Sequence, residues 1–197
     1  MKIENIIDRF LNVLSEDILP LTRKGVEQGN KIFGAAILEK KTLEIVAIGI
    51  NNEIKNPLLH GEISCINNYW AISEKNRPAP QDCYFLSTHE PCSLCLSAIT
   101  WSGFDNFYYL FGYEDSKDIF DIPHDLNILK EVFYCEDGDY AAINYYWKSF
   151  CLMDMAEHGT EKQQKKWMTK IFKLYEDYGM LSDAYQETKS EQYIPLA

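Results

Sequence analysis

No apolar run in these 197 residues is long enough to cross a membrane. The opening MKIENIIDRFLNVLSED is broken by Glu4, Asp8 and Arg9, and it lacks both the unbroken apolar stretch and the small-residue cleavage site of a signal peptide. The expectation is a cytoplasmic protein without a membrane partner, whose six cysteines are thiols or ligands before they are disulfides. Positive charge is scarce: 19 Lys and Arg stand against 30 Asp and Glu, and the net charge of −11 repels polyanions and weighs against nucleic acid as a partner. The low hydrophobicity of disordered chains is missing too, since 46% of residues are hydrophobic and 25% charged. There are no internal repeats, and the length fits one ordinary domain with an appendage.

What is there reads as alternating elements. Ile3, Ile6, Ile7, Phe10, Leu11 and Leu14 recur at spacings of three and four and predict an amphipathic helix. Ser15 can cap a second helix running to about Gly29, with Pro20 in its early part. The runs IFGAAIL (32–38) and LEIVAIGI (43–50), parted by Lys40, Lys41 and Thr42, predict an antiparallel hairpin. A helix from Gly61 to Ala71, a strand over 83–88, a buried helix from Cys92 and a strand over 104–113 follow. This order predicts an α/β fold, a mixed sheet with helices on both faces. Further on, 114–130 reads as a loop with a short helix, EVFYC (131–135) as a last strand and 139–157 as an aromatic-rich helix. Thr160 with Gln163 matches a capping box opening a helix that Gly179 would end. The expected division is a domain over 1–158 and a helical appendage over 159–197.

Two motifs carry chemistry: His60-Gly61-Glu62, and Pro91-Cys92-Ser93-Leu94-Cys95. A lone Cys-x-x-Cys serves redox and zinc sites alike. Here Pro91 precedes the pair and sets up a helix start, which leaves both sulfurs on one face near a terminus that favours thiolate. With His60 they make three donors, the number that leaves a catalytic zinc one open position. His89 and Cys65 are the candidates for a fourth ligand that would make the site structural. Zinc in such a site brings the ionisation of water near neutrality for attack on an amidine-like ring carbon, and Glu62 is the matching proton shuttle.

These residues give residues 30–135 a resemblance to the cytidine deaminase superfamily, carried by FGAAI (33–37), GINN (49–52), LHGEIS (59–64) and EPCSLCLSAITW (90–101) in the family's order. The resemblance implies a three-layer α-β-α sandwich with a mixed five-stranded sheet, one zinc per chain on His60, Cys92 and Cys95, Glu62 as the catalytic carboxylate, and a homodimer. It also implies that Asn51 hydrogen-bonds the base and that Phe33 packs on its face. LHGEIS is similar to fungal cytosine deaminase, EPCSLCLSAITW and the asparagines 51 and 52 to bacterial guanine deaminase. Phe120, Asp121 and Asp125 loosely echo the latter's downstream segment, and Tyr145, Tyr146, Trp147 and Phe150 form either a pocket wall or core. The expected substrate is a small nucleobase or nucleoside, guanine ahead of cytosine. The tRNA adenosine deaminases share the zinc motifs but need a phosphate-holding surface. A zinc-stabilised module without turnover is the non-enzymatic alternative.

Overall fold

The structure is a computed structural model that describes residues 3–196. The chain opens with α1 (Ile3–Asn12), a π-helical segment (Val13–Ile18) and α2 (Leu19–Glu27), which run on as one rod. Ser15 is therefore no helix cap. It sits inside the π segment, where its hydroxyl donates to the carbonyls of Leu11 and Asn12 and so serves a helix already formed.

The hairpin forms as expected, β1 (Gly34–Glu39) pairing antiparallel with β2 (Ile45–Ile50). After α3 (Gly61–Ala71), β3 (Cys83–His89) pairs antiparallel with β1 on its other side. Then α4 (Ser93–Trp101) leads to β4 (Asn106–Phe111), parallel to β3. The helices α5 (Tyr113–Asp118) and α6 (His124–Phe133) precede β5 (Lys148–Cys151), which joins β4 in parallel. The chain closes with α7 (Leu152–Glu157) and α8 (Glu161–Thr188). The five strands lie in the order β2-β1-β3-β4-β5, a mixed sheet.

Alternation along β1 makes the layers. Ala36 and Leu38 face a core shared with α1, α2 and α8, whereas Ala35 and Ile37 face a second core with Cys65, Ile66 and Tyr69 of α3 and Ile99 of α4. The expected three-layer sandwich is the fold observed.

Three expectations along the second half are corrected. EVFYC is not the last strand: Glu131–Phe133 finish α6, and Tyr134 caps it in the left-handed region at φ 58°. Val132, Phe133 and Tyr134 are exposed while Leu129 is buried, so this apolar run lies on a helix's outer face. Residues 139–157 are not one helix, because β5 and α7 occupy their second half. Within them Trp147 is buried and its indole N–H donates to Thr100 Oγ1 at 2.8 Å, Phe150 stacks on Tyr108 at 4.9 Å, and Tyr145 and Tyr146 face solvent. Finally, α8 begins at the capping box of Thr160 and Gln163 but does not end at Gly179. A β-carbon at Gly179 would meet open space, and buried Tyr178, Leu181, Ser182 and Tyr185 carry the helix through to Thr188. Among the described residues no helix is long and apolar enough to cross a membrane.

Candidate metal centre

The start of β1, the end of β3 and the starts of α3 and α4 meet at one edge of the sheet. His60 is the N-cap of α3 and Cys92 the N-cap of α4, both with extended backbone, so two helix N-termini converge on one place. Close backbone approach makes this possible. A β-carbon on Gly61 would lie 2.7 Å from the Cα of Gly34 and 2.9 Å from the carbonyl carbon of Phe33, so only glycine lets the start of β1 touch the start of α3. On the far side, a β-carbon on Gly49 would lie 2.2 Å from the nitrogen of Cys65, which seats α3 directly on β2.

Nδ1 of His60 is 3.5 Å from Cys92 Sγ and 3.7 Å from Cys95 Sγ, and the three donor atoms lie within 4.8 Å of one another. Tetrahedral zinc, with bonds of about 2.3 Å to sulfur and 2.0–2.1 Å to nitrogen, sets such donors roughly 3.5–3.8 Å apart. The donor set and its spacing thus fit zinc. Among the described residues no fourth His, Cys, Asp or Glu joins this cluster. His89 is turned away: its Nδ1 bonds the Thr88 hydroxyl at 2.9 Å, and its ring is caged by Phe33, Phe111, Phe120 and Tyr178. Cys65 is buried in the second core.

The metal-free cluster is electrostatically divided. A hydrogen bond from Cys95 and the neighbouring His60 hold the Cys92 thiol far below its ordinary range, against the effect of burial. Burial pushes Cys95 the other way, helped by the charges of Cys92 and Glu62. His60 is raised, burial opposing and Cys92 prevailing. These directions favour the thiolate at Cys92, the form a zinc ligand takes.

Glu62, in the first turn of α3, is 4% exposed and lies against the cluster. Its Oε1 accepts from the Ser87 hydroxyl at 2.8 Å and its Oε2 from the Cys95 thiol at 3.3 Å. Burial, then the Cys92 charge, raises its carboxyl above the usual range, the direction a group that must carry a proton needs. Asn51, buried just after β2, reaches the same place, where its Oδ1 accepts from the Gly61 N–H at 2.5 Å. Phe33 is buried before β1 with its ring edge-on to His89 at 4.5 Å. Glu90 braces the cysteine loop by accepting from Tyr140 Oη at 2.6 Å and from the Tyr113 N–H at 3.2 Å.

Of the residues that only echoed a motif, Phe120 belongs to the core and Asp121 is exposed in an ion pair with Lys189 at 3.9 Å. Asp125 is different, since burial raises its carboxyl and the charges it feels are those of Cys92, His60, Glu62 and Lys31. It belongs to the first turn of α6. Two residues escaped sequence reasoning altogether: Glu53 and Lys31, a buried ion pair at 3.1 Å that borders Asn51 and His60. An acid and a base 22 positions apart carry no local signal of pairing.

The family described as "Cytidine and deoxycytidylate deaminase zinc-binding region" matches residues 12–111. No curated protein matches the chain. Among solved structures, guanine deaminase from Nitrosomonas europaea is 18% identical, covering 83% of this chain and 81% of its own at a TM-score of 0.51. A structure solved with 2,6-diaminopurine is 18% identical over 86% of this chain and 78% of its own, with a TM-score of 0.50. Guanine deaminase from Bacillus subtilis is 25% identical over 74% of this chain and 87% of its own, with a TM-score of 0.49. The first two share the fold of this chain. With the matched segment containing the whole His60, Glu62, Cys92 and Cys95 constellation, the chain belongs to the cytidine and deoxycytidylate deaminase zinc-binding family and is a zinc-dependent deaminase, a hydrolase.

Proposed function

We propose that this deaminase acts on a free nucleobase, guanine ahead of cytosine, and releases ammonia. The observation that carries the reading is a buried carboxylate, Glu62, beside a three-donor zinc site bordered by the Asn51 amide. Zinc bound there supplies a water activated near neutral pH. Glu62 would take a proton from that water and hand it to the ring nitrogen next to the amino-bearing carbon. It would then take the remaining proton of the added hydroxyl, which becomes the oxo group, and pass it to the amine that leaves as ammonia. A carbon–oxygen bond forms, the carbon–nitrogen bond breaks, and the sum is hydrolysis. Asn51 would offer an amide to the ring's polar edge, and Phe33, next to the start of β1 that touches Gly61, would pack on the base.

The preference for guanine rests on the relatives of like fold, which include a guanine deaminase and a diaminopurine complex, and on Asp125, a further carboxyl for the polar edge of a purine. The His-Gly-Glu likeness to cytosine deaminase weighs less, because contact with Gly34 already accounts for Gly61. A net charge of −11 favours a small substrate over a polynucleotide. Exposed Trp70, Leu94 and Trp101 on the two zinc helices support a homodimer, checked by light scattering.

The test is ammonia release by zinc-loaded protein from guanine, cytosine, adenine and their nucleosides. Guanine is expected to turn over fastest, at a rate little changed by salt. Turnover of nucleosides or of a tRNA stem-loop, with none of free bases, would replace this reading.

A further inference from the structure

A buried ion pair is a poor way to stabilise a protein, since stripping water from both charges offsets most of their attraction. Lys31 and Glu53 are 7% and 3% exposed, and they stand one step behind the site. Glu53 is the hub. Its Oε1 accepts from Lys31 Nζ at 3.1 Å and lies 4.0 Å from His60 Nε2, while its Oε2 accepts from the Lys31 backbone N–H at 3.3 Å and from Asn51 Nδ2 at 2.9 Å. Lys31 Nζ donates as well to the carbonyl of Leu196 at 2.7 Å, so the ammonium is held from two sides.

The chemistry of these contacts fixes which way round the Asn51 amide lies. The Gly61 N–H can only donate, so the amide oxygen must face it, and the Glu53 carboxylate can only accept, so the amide nitrogen must face that. Either contact alone would choose an orientation; together they lock it. The oxygen is drawn onto the α3 backbone and one amide hydrogen onto Glu53. What remains for a ligand is the second N–H.

We propose that the Lys31–Glu53 pair is a positioning device that locks Asn51 as a hydrogen-bond donor, so that the substrate presents an acceptor, a ring oxo group or an unprotonated ring nitrogen, at that edge. The proposal rests on Asn51 binding the base. Lys31 anchors Glu53, Glu53 orients Asn51, and Asn51 selects. A base with an amino group at that edge meets donor with donor and is refused.

Two double variants separate this from a merely structural role. Lys31→Met with Glu53→Gln removes both charges but keeps an oxygen for Asn51 Nδ2, whereas Lys31→Met with Glu53→Leu removes the charges and the acceptor together. The expected result is zinc content equal to wild type in both. The Leu variant raises KM for guanine, and the dissociation constant of its product xanthine by calorimetry, about tenfold, with a smaller change in kcat. The Gln variant stays within about threefold of wild type, as a retained hydrogen bond requires. Double variants that behave alike, whatever their melting temperatures, overturn the proposal. If Asn51→Ala itself leaves KM unchanged, the substrate role of Asn51 falls and the proposal with it; if it raises KM while both double variants match wild type, the proposal alone falls. Should the Leu variant not fold, side-chain NMR of the wild type decides: the two Asn51 amide protons are expected as resolved signals, one protected from exchange, and a freely exchanging pair overturns the lock.

Discussion

A carboxylate that only held a helix could be exchanged for an amide at little cost. Glu62 is read differently, because it is buried against Cys95 with one hydroxyl, that of Ser87, on its other oxygen. Glu62→Gln keeps the shape and removes the exchangeable proton, so kcat is expected to fall about 10²–10⁴-fold while metal analysis still finds one zinc per chain. Turnover near the wild-type rate would deprive Glu62 of its role. At its neighbour the argument is steric. Gly61→Ala sets a methyl 2.7 Å from a backbone atom of Gly34, which cannot swing aside as a side chain can. A loss of about 1–3 kcal/mol in urea unfolding is expected. The cluster of His60, Cys92 and Cys95, with Glu62 beside it, was legible in the sequence because each motif is contiguous and its chemistry depends on residue type alone. Glu53 was not, because its meaning lies in what surrounds it in space: Lys31 before β1, Asn51 after β2 and His60 before α3.

Elements were legible where side-chain period and burial agree. The alternation of β1 and the three-and-four spacing of α1 each face a core, and both elements form where the pattern places them. The pattern misleads where apolar residues face solvent, as in Val132–Tyr134, and where a strand is too short to have a period, as in four-residue β5. His89, the last residue of β3, adds a pH dependence at this scale. Thr88 Oγ1 accepts from the Gly34 N–H at 3.0 Å and shares a hydrogen bond of 2.9 Å with His89 Nδ1, while the buried Nε2 has no partner among the described residues. Burial among four aromatic rings holds this imidazole neutral, its pKa well below the ordinary 6.5. The sign follows from proton counting: below pH 6.5 the unfolded chain binds a proton that the folded one refuses, so stability is full above that pH and falls as pH drops. The slope is up to about 1.4 kcal/mol per pH unit. In chelator-treated protein, unfolding midpoints at pH 7.5 and 5.5 should differ less for His89→Phe than for wild type; equal differences would remove His89 as the cause.

For the whole molecule the question is what α8 is for. The sequence reads 159–197 as a helical appendage, opened by the capping box of Thr160 and Gln163 after the last expected element of the domain. Packing argues for one cooperative unit. Trp167, Ile171, Leu174, Tyr178, Leu181 and Tyr185 lie in the same core as α1, α2 and the inner face of β1, and the Trp167 indole donates to Asp8 Oδ1 at 2.8 Å. Tyr178 also packs on His89, and Ser182 Oγ donates to the Phe120 carbonyl, so the helix buttresses the end of β3 from which the cysteine loop departs. Burying six such side chains is worth roughly 1.5–3 kcal/mol each. The sum rivals the 5–15 kcal/mol by which whole domains are stable. A chain cut after residue 158 should therefore not fold into a zinc-retaining domain. Circular dichroism melting and metal analysis of that fragment check this: a sharp transition with zinc still bound would make 159–197 a true appendage, and a broad, zinc-free signal would make the helix part of the domain's own core.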